Sequence, residues 1–153
     1  MKRREFVRNA AGAGAVLLFA PRVVRAALAP LPAMTVYKSP TCGCCKAWVA
    51  LAKGEGFTVK VVDMDDVTPI KRSAGVPPGL ESCHTVLVGS YVLEGHVPFD
   101  LVRKILTEKP AIAGLAVAGM PLGAPGMEQG ASKQAYTVTS FTRDGKSSVY
   151  ARR

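Results

Sequence analysis

The sequence has little that would suit membrane insertion or nucleic-acid binding. The apolar run between Ala10 and Ala20 falls short of the ~20 residues that a transmembrane helix needs. Aromatic residues make up only 7% of the chain and are not interleaved with a basic run, so nucleic-acid binding has little support. With only four cysteines and two histidines, any thiol or soft-metal chemistry must use a small set of side chains.

Residues 1–26 have the features of a bacterial export signal. Basic residues open the chain, a short apolar run follows, and "VRA" at 24–26 is a small-residue cleavage site. "RREFV" at 3–7 resembles the twin-arginine pattern of exported proteins. We therefore expect a twin-arginine-type signal at 1–26, one mature domain at 27–153, a periplasmic location and no stable membrane insertion after cleavage. The signal holds six of the 20 Lys and Arg and one of the 11 acidic residues, which leaves the domain 14 basic and 10 acidic residues, net +4 instead of +9.

Hydrophobic periodicity in the first part of the domain predicts an α/β fold. Strands are expected at 34–39 and 57–65 with a helix at 44–56 between them, and a short helix follows near Thr68. A hairpin turning at Gly89-Ser90 and a helix beginning near Pro98 come next. This order, βαβ followed by ββα, is the layout of the thioredoxin-like fold.

The composition changes after Pro110. Residues 111–135 are rich in Gly, Ala and Pro, contain two methionines and carry hardly any charge. We expect this Gly/Pro/Met loop to pack over the domain surface without regular structure, since its low charge argues against a solvated disordered segment. Residues 135–153 predict a closing β-hairpin with Asp144-Gly145 at its turn.

Three of the four cysteines, Cys42, Cys44 and Cys45, lie at the predicted start of the first helix. The helix N-terminus favours thiolates over thiols there, which prepares them as ligands or nucleophiles. At ~100° per residue, Cys42 and Cys45 share a face of the helix and Cys44 points away. Cys83 and His84 come just before the third strand, where a thioredoxin normally carries a cis-proline, so they are expected to face the helix-start cysteines. One metal ion is then within reach of Cys42, Cys45, Cys83 and His84, and Cys44 joins through a local distortion or a second, bridged metal.

The donor set favours copper. Thiolates select Cu(I), zinc or iron–sulfur clusters, imidazole suits zinc and copper, and thioethers favour copper. The cysteine spacing matches neither paired zinc knuckles nor a common ferredoxin run, so zinc is the less favoured metal. His96, Met120 and Met127 complete the candidate ligands, although His96 can instead hydrogen-bond a turn, and the two methionines can simply pack in their loop.

Three motifs together closely resemble a bacterial domain-of-unknown-function family of CopG-type periplasmic copper-resistance proteins, from about Met34 to Gly145. They are "YKSPTCGCCKAW", "SCHTVLVGSYVLEGHVP" and "GLAVAGMPLGAPGME". The resemblance implies a thioredoxin-like fold and copper binding through the cysteines. The family's C-x-C-C cysteines map onto Cys42, Cys44 and Cys45, its Cys-His pair onto Cys83 and His84, and its Gly-His-Val-Pro histidine onto His96. Ala124 replaces a serine of the family loop, which leaves Met120 and Met127 in place.

Two hypotheses follow. The first is a protein that binds Cu(I), as a thiolate-bridged multi-copper cluster, and sequesters it, passes it on or cycles it with Cu(II). Its expected partners are copper ions and other periplasmic copper-resistance proteins. The alternative is a thiol–disulfide oxidoreductase with Cys42 as nucleophile and Cys45 as resolving thiol. The additional thiol Cys44 and the Cys83-His84 pair in place of the proline favour copper binding over catalysis.

Overall fold

This computed structural model describes residues 30–128, 130 and 133–153, which form one main core and a second, smaller core cluster. The elements in chain order are β1 (Met34–Lys38), α1 (Gly43–Gly54), β2 (Val59–Asp63), α2 (Thr68–Ser73), a 3-10 turn (Pro78–Leu80), β3 (His84–Val88), β4 (Tyr91–Glu94), α3 (Phe99–Glu108), β5 (Gly114–Ala116), β6 (Thr137–Phe141) and β7 (Ser147–Arg152). The strands form one seven-stranded sheet in the order β2-β1-β3-β4-β5-β6-β7.

The sheet confirms the predicted mixed α/β class and the predicted order of its elements. Strand β1 pairs in parallel with β2 through the crossover helix α1, and antiparallel with β3 on its other side. Strands β3 and β4 form the expected hairpin, with Gly89 and Ser90 between them. The thioredoxin-like assignment within this class stays a prediction, as do the signal at 1–26 and the domain boundary at 27, which lie outside the described residues.

The prediction that residues 111–135 lack regular structure is wrong at one place. Strand β5 lies within this segment. It pairs in parallel with β4 and antiparallel with β6, so the closing hairpin belongs to the same sheet. The strand has only three residues, too few to show a period of two, and its Gly/Ala composition is typical of a loop. Gly114 is required there, because a Cβ atom would lie 2.0 Å from the backbone oxygen of Val92.

The main core lies between the sheet and the two longer helices. Helix α1 buries Trp48, Val49 and Ala52 in this core, and α3 buries Leu101, Val102 and Ile105. Trp48 packs the first helix against the sheet, as predicted, and its indole N–H donates to the Val97 carbonyl at 3.2 Å. In the described part of the chain, no helix has both the length and the apolar character to cross a membrane.

Candidate metal centre

The turn between β1 and α1 brings the three clustered cysteines together. Cys42 is the N-cap residue of α1, with φ −71° and ψ 103°, and its sulfur accepts a hydrogen bond from the Cys45 backbone N–H at 3.3 Å. The Cys42 N–H donates to the Ser39 carbonyl at 3.2 Å, which closes the turn. Cys42 and Cys45 form a disulfide, and Cys44 and Cys83 are free thiols.

The prediction that Cys44 points away from Cys42 is wrong. The Cys44 Sγ atom lies 3.5 Å from Sγ of Cys42 and 3.9 Å from Sγ of Cys83. The error has a physical cause: Cys42 has an extended backbone and stands outside the helix, so the rotation of ~100° per helical residue does not relate it to Cys44. All three clustered sulfurs therefore face one site without a local distortion of the helix.

Cys83 brings the fourth sulfur to this site. The sulfur atoms of Cys42, Cys44, Cys45 and Cys83, here called the four-sulfur group, lie within 4.8 Å of one another. The Cys45 Sγ atom also lies 3.7 Å from the Cys83 carbonyl oxygen. The predicted approach of the Cys83-His84 pair to the start of the helix is thus confirmed, because β3 lies directly beside β1 in the sheet.

Two histidines meet the four-sulfur group at Cys83. Nδ1 of His84 lies 3.3 Å and Nε2 of His96 lies 3.1 Å from the Cys83 Sγ atom. Nδ1 of His96 lies 2.7 Å from the Pro125 carbonyl oxygen, which can only accept, so the ring proton sits on Nδ1. The Nε2 lone pair of His96 then points toward Cys83. Metal-binding histidines commonly have this arrangement, in which the other ring N–H donates to a backbone carbonyl. Cys83, His84 and His96 form a second ligand set, here called the Cys83–histidine group.

His84 is buried and incompletely hydrogen-bonded. Its ring packs against Trp48 with ring centroids 5.1 Å apart, and its Nε2 atom has no hydrogen-bond partner among the described residues. Burial, followed by the charges of His96, Lys71 and Lys38, lowers the pKa of His84 to about 3. Burial also lowers the pKa of His96, against the opposing hydrogen bond to Pro125. Both rings are therefore neutral at neutral pH, the form that binds metals.

The environment of Cys83 keeps a proton on its sulfur when no cation is present. Burial and the neighbouring Cys44 raise the pKa of Cys83 to about 12. A thiol must lose its proton to bind a metal, so metal binding at Cys83 is coupled to proton release. Thiolates with neutral imidazoles are a soft donor set, which fits Cu(I) well and hard cations poorly.

Comparison with known proteins finds relatives that are named for copper resistance. A family model described as "Protein of unknown function, DUF411" matches residues 80–127. Two solved structures, "Copper resistance protein copG- Form 2" and "Copper resistance protein copG- Form 1", are each 40% identical to this chain, with a TM-score of 0.76. Each match covers 80% of this chain and 98% of the solved one. The chain belongs to the CopG-type family. No curated protein sequence matches it.

In this CopG-type chain, residues 117–128 form a loop, here called the covering loop, that contacts residues beside the four-sulfur group. The Ser82 hydroxyl donates to the Gly119 carbonyl at 2.6 Å, and a Cβ atom at Gly126 would lie 3.2 Å from the Cys44 carbonyl oxygen. The neighbours of these glycines are the predicted ligands Met120, which is 58% exposed, and Met127, which is half-buried. Met120 and Met127 thus follow loop residues that contact the surroundings of the four-sulfur group, and their role as ligands stays a prediction.

A buried ion pair behind the ligands was not predicted from the sequence. The Nζ atom of Lys71, on α2, lies 2.5 Å from Oε1 of Glu94, at the end of β4. The same Oε1 accepts the Ser82 N–H at 2.6 Å, and Oε2 accepts the Thr85 hydroxyl at 2.7 Å. A lone glutamate in "YVLEGH" is typical of a solvent-facing hairpin position, and its place two residues before His96 is the only signal that pointed to the site.

Proposed function

We propose that this protein binds Cu(I) in a periplasmic copper-resistance system, through the four-sulfur group and the Cys83–histidine group. The observation that carries the proposal is the position of the Cys83 sulfur, which belongs to both groups. The solved relatives are named as copper resistance proteins, which supports copper as the metal over zinc. The proposal includes export through the signal at 1–26 and a mature metal-binding domain at 27–153.

The presence of two ligand groups that share the Cys83 sulfur supports a cluster rather than one isolated ion. The Cys83 sulfur lies 3.9 Å from Sγ of Cys44 on one side and 3.1 Å from Nε2 of His96 on the other. A thiolate in that position can bridge two Cu(I) ions, one shared with the C-x-C-C sulfurs and one shared with the imidazoles. Met120 and Met127 are proposed as thioether ligands at the margin of this cluster.

The Cys42–Cys45 disulfide gives the site a redox state of its own. Reduction of one disulfide to two thiolates takes two electrons, which two Cu(I) ions supply when both become Cu(II). The reverse reaction oxidises the two thiolates and returns both ions to Cu(I). A single transfer of two electrons between the disulfide and two copper ions therefore balances within the site, and repeated turnover needs an external electron donor or acceptor.

Anaerobic copper loading tests the proposal. Reduced protein 27–153 is titrated with Cu(I) in competition with a chromophoric chelator, and bound metal is measured after desalting. We expect more than one Cu(I) per chain, less binding when the Cys42–Cys45 disulfide is kept, and loss of much of the capacity in Cys83→Ser. Met64→Leu, a change of a half-buried methionine after β2, serves as a control that keeps the full capacity. Absence of copper binding by the reduced protein would rule the proposal out.

A specific observation supports thiol–disulfide exchange as a second candidate function. The disulfide lies at the start of α1, with Cys42 half-buried and Cys45 fully buried, which suits Cys42 as nucleophile and Cys45 as resolving thiol. Reduction of a test disulfide by the reduced protein measures this activity. An oxidoreductase keeps its rate in Cys44→Ser and Cys83→Ser, whereas a copper protein loses metal in the same variants.

A further inference from the structure

We propose that Glu94 is a positioning residue that holds the Cys83-His84 pair in its ligand geometry through a buried carboxylate clamp. Its Oε1 atom accepts the Ser82 N–H at 2.6 Å, and its Oε2 atom accepts the Thr85 hydroxyl at 2.7 Å. One side chain from β4 thus holds the residue before Cys83 and the residue after His84. The side-chain hydrogen bonds of Glu94 therefore hold the two ends of the ligand pair and not the ligands themselves.

Lys71 is the third member of the clamp and contacts both Glu94 and Thr85. Its Nζ atom lies 2.5 Å from Oε1 of Glu94 and 3.2 Å from the Thr85 hydroxyl oxygen. The Glu94 and Lys71 residues are 0% and 6% exposed, so neither charge is solvated and each depends on the other. Through this ion pair, the short helix α2 supports the Cys83-His84 ligand pair at the start of β3.

The Lys71–Glu94 ion pair contributes to the orientation of the Cys83-His84 pair rather than to the net stability of the fold. Buried ion pairs add little net stability compared with apolar side chains of the same volume, because desolvation offsets their attraction. Two directed hydrogen bonds to the backbone and side chain that flank a ligand pair supply something that apolar contacts lack, a defined orientation. Cys83 belongs to both ligand groups, so a shift of Ser82 would disturb both at once.

The meaning of the clamp for copper rests on the proposed function, but its effect on Cys83 can be measured without metal. The matched variants are K71M/E94L and K71M/E94Q. Both remove the two buried charges together and leave no unpaired ion. In K71M/E94Q the glutamine oxygen can still accept the Ser82 N–H, and its amide N–H can donate to the Thr85 hydroxyl oxygen, which reverses the direction of the wild-type bond but keeps the contact. K71M/E94L loses both bonds.

The first measurement is the alkylation rate of the two free thiols in metal-free protein with the Cys42–Cys45 disulfide intact. Cys44 lies on α1, outside the clamp, and is the internal reference for Cys83. In K71M/E94L we expect the ratio of Cys83 to Cys44 alkylation to rise several-fold, and in K71M/E94Q to stay near that of the wild type. An unchanged ratio in K71M/E94L, or an equal rise at both thiols, overturns the proposal, because general loosening exposes both.

The second measurement is the Cu(I) affinity of the reduced variants by chelator competition. Loss of a partner behind a metal ligand costs about ten-fold or more in affinity, and we expect that loss in K71M/E94L with recovery in K71M/E94Q. If the wild type binds no copper but the alkylation ratio still changes, the proposed function fails and the clamp stands. Copper affinity that is equal in the two variants and the wild type contradicts the clamp and leaves the copper proposal intact.

Discussion

The Nε2 atom of His96 lies 3.1 Å from the Sγ atom of Cys83, at the point where the four-sulfur group meets the histidines. The ring is held in this orientation by its Nδ1–H bond to the Pro125 carbonyl, 2.7 Å away. A lone pair held beside a thiol is in a position to bind a metal. This role accounts for the full burial of His96, which lies just after the end of β4.

The first prediction concerns His96→Gln. A glutamine amide can keep the hydrogen bond to the Pro125 carbonyl, but it puts no imidazole nitrogen beside Cys83. We expect Cu(I) affinity to fall about ten-fold or more while the thermal midpoint of the metal-free protein changes little. Chelator competition and thermal unfolding measure the two quantities. Unchanged affinity would mean that His96 only donates a hydrogen bond to a turn, here at Pro125, the alternative that the sequence left open.

The second prediction is that His84→Leu stabilises the metal-free protein. The Nε2 atom of His84 is buried without a partner among the described residues, and an unsatisfied buried polar atom costs about 1–3 kcal/mol. Leucine has a similar volume and no polar atom, so we expect the free energy of unfolding to rise by about 1 kcal/mol while copper binding weakens. Denaturant unfolding of metal-free protein measures the change.

The matched control for this prediction is His96→Leu. That change removes the donor to the Pro125 carbonyl, so it is expected to lower the free energy of unfolding by about 1 kcal/mol instead of raising it. Destabilisation by both changes would show that His84 is held for packing against Trp48 and not for a ligand position.

The meeting of the two distant cysteine motifs was predictable because it follows from topology. Once β1 and β3 are neighbours, the chain that leaves β1 and the chain that enters β3 must share one end of the sheet. Periodicity was sufficient to find those strands. The direction of Cys44 was not predictable in this way, since it depends on the extended backbone of the N-cap residue Cys42.

The clamp behind the ligands could not be found from periodicity or composition. Lys71 and Glu94 are charged residues on a short helix and a hairpin strand, positions that are usually solvated. They are buried because α2 folds over the β3–β4 pair, a packing relationship that no local pattern encodes. Strand β5 escaped prediction for a related reason, since its pairing with β4 and β6 overrides a loop-like composition.

The third prediction tests the thioethers of the covering loop. Met120→Leu and Met127→Leu each conserve volume and remove a sulfur, so a loss of Cu(I) affinity reports ligation rather than packing. We expect each to weaken copper binding, and X-ray absorption at the copper edge to show fewer sulfur neighbours. Met64→Leu is the control and leaves both measurements unchanged. If Met120→Leu and Met127→Leu both behave like this control, the two methionines only pack in the loop.

The fourth prediction uses the close approach of the covering loop to α1. Gly126 has φ +81°, and a Cβ atom there would lie 2.7 Å from the backbone nitrogen of Trp48. Gly126→Ala therefore combines backbone strain with a collision that pushes the neighbouring Pro125 carbonyl away from His96. We expect a loss of at least about 1 kcal/mol in stability and weaker Cu(I) binding, measured by denaturant unfolding and chelator competition.

Gly145→Ala separates the two causes in this last prediction. Gly145 also has φ +81°, but it lies in the turn of the closing hairpin, where a Cβ atom would meet no described atom within 4 Å. Alanine there carries the backbone strain alone, so it lowers stability but leaves Cu(I) affinity at the wild-type value. If Gly126→Ala destabilises the protein no more than Gly145→Ala and keeps its copper, the covering loop does not hold His96 in place. A selective loss of copper in Gly126→Ala instead ties the ligand geometry to the contact between the loop and the start of α1.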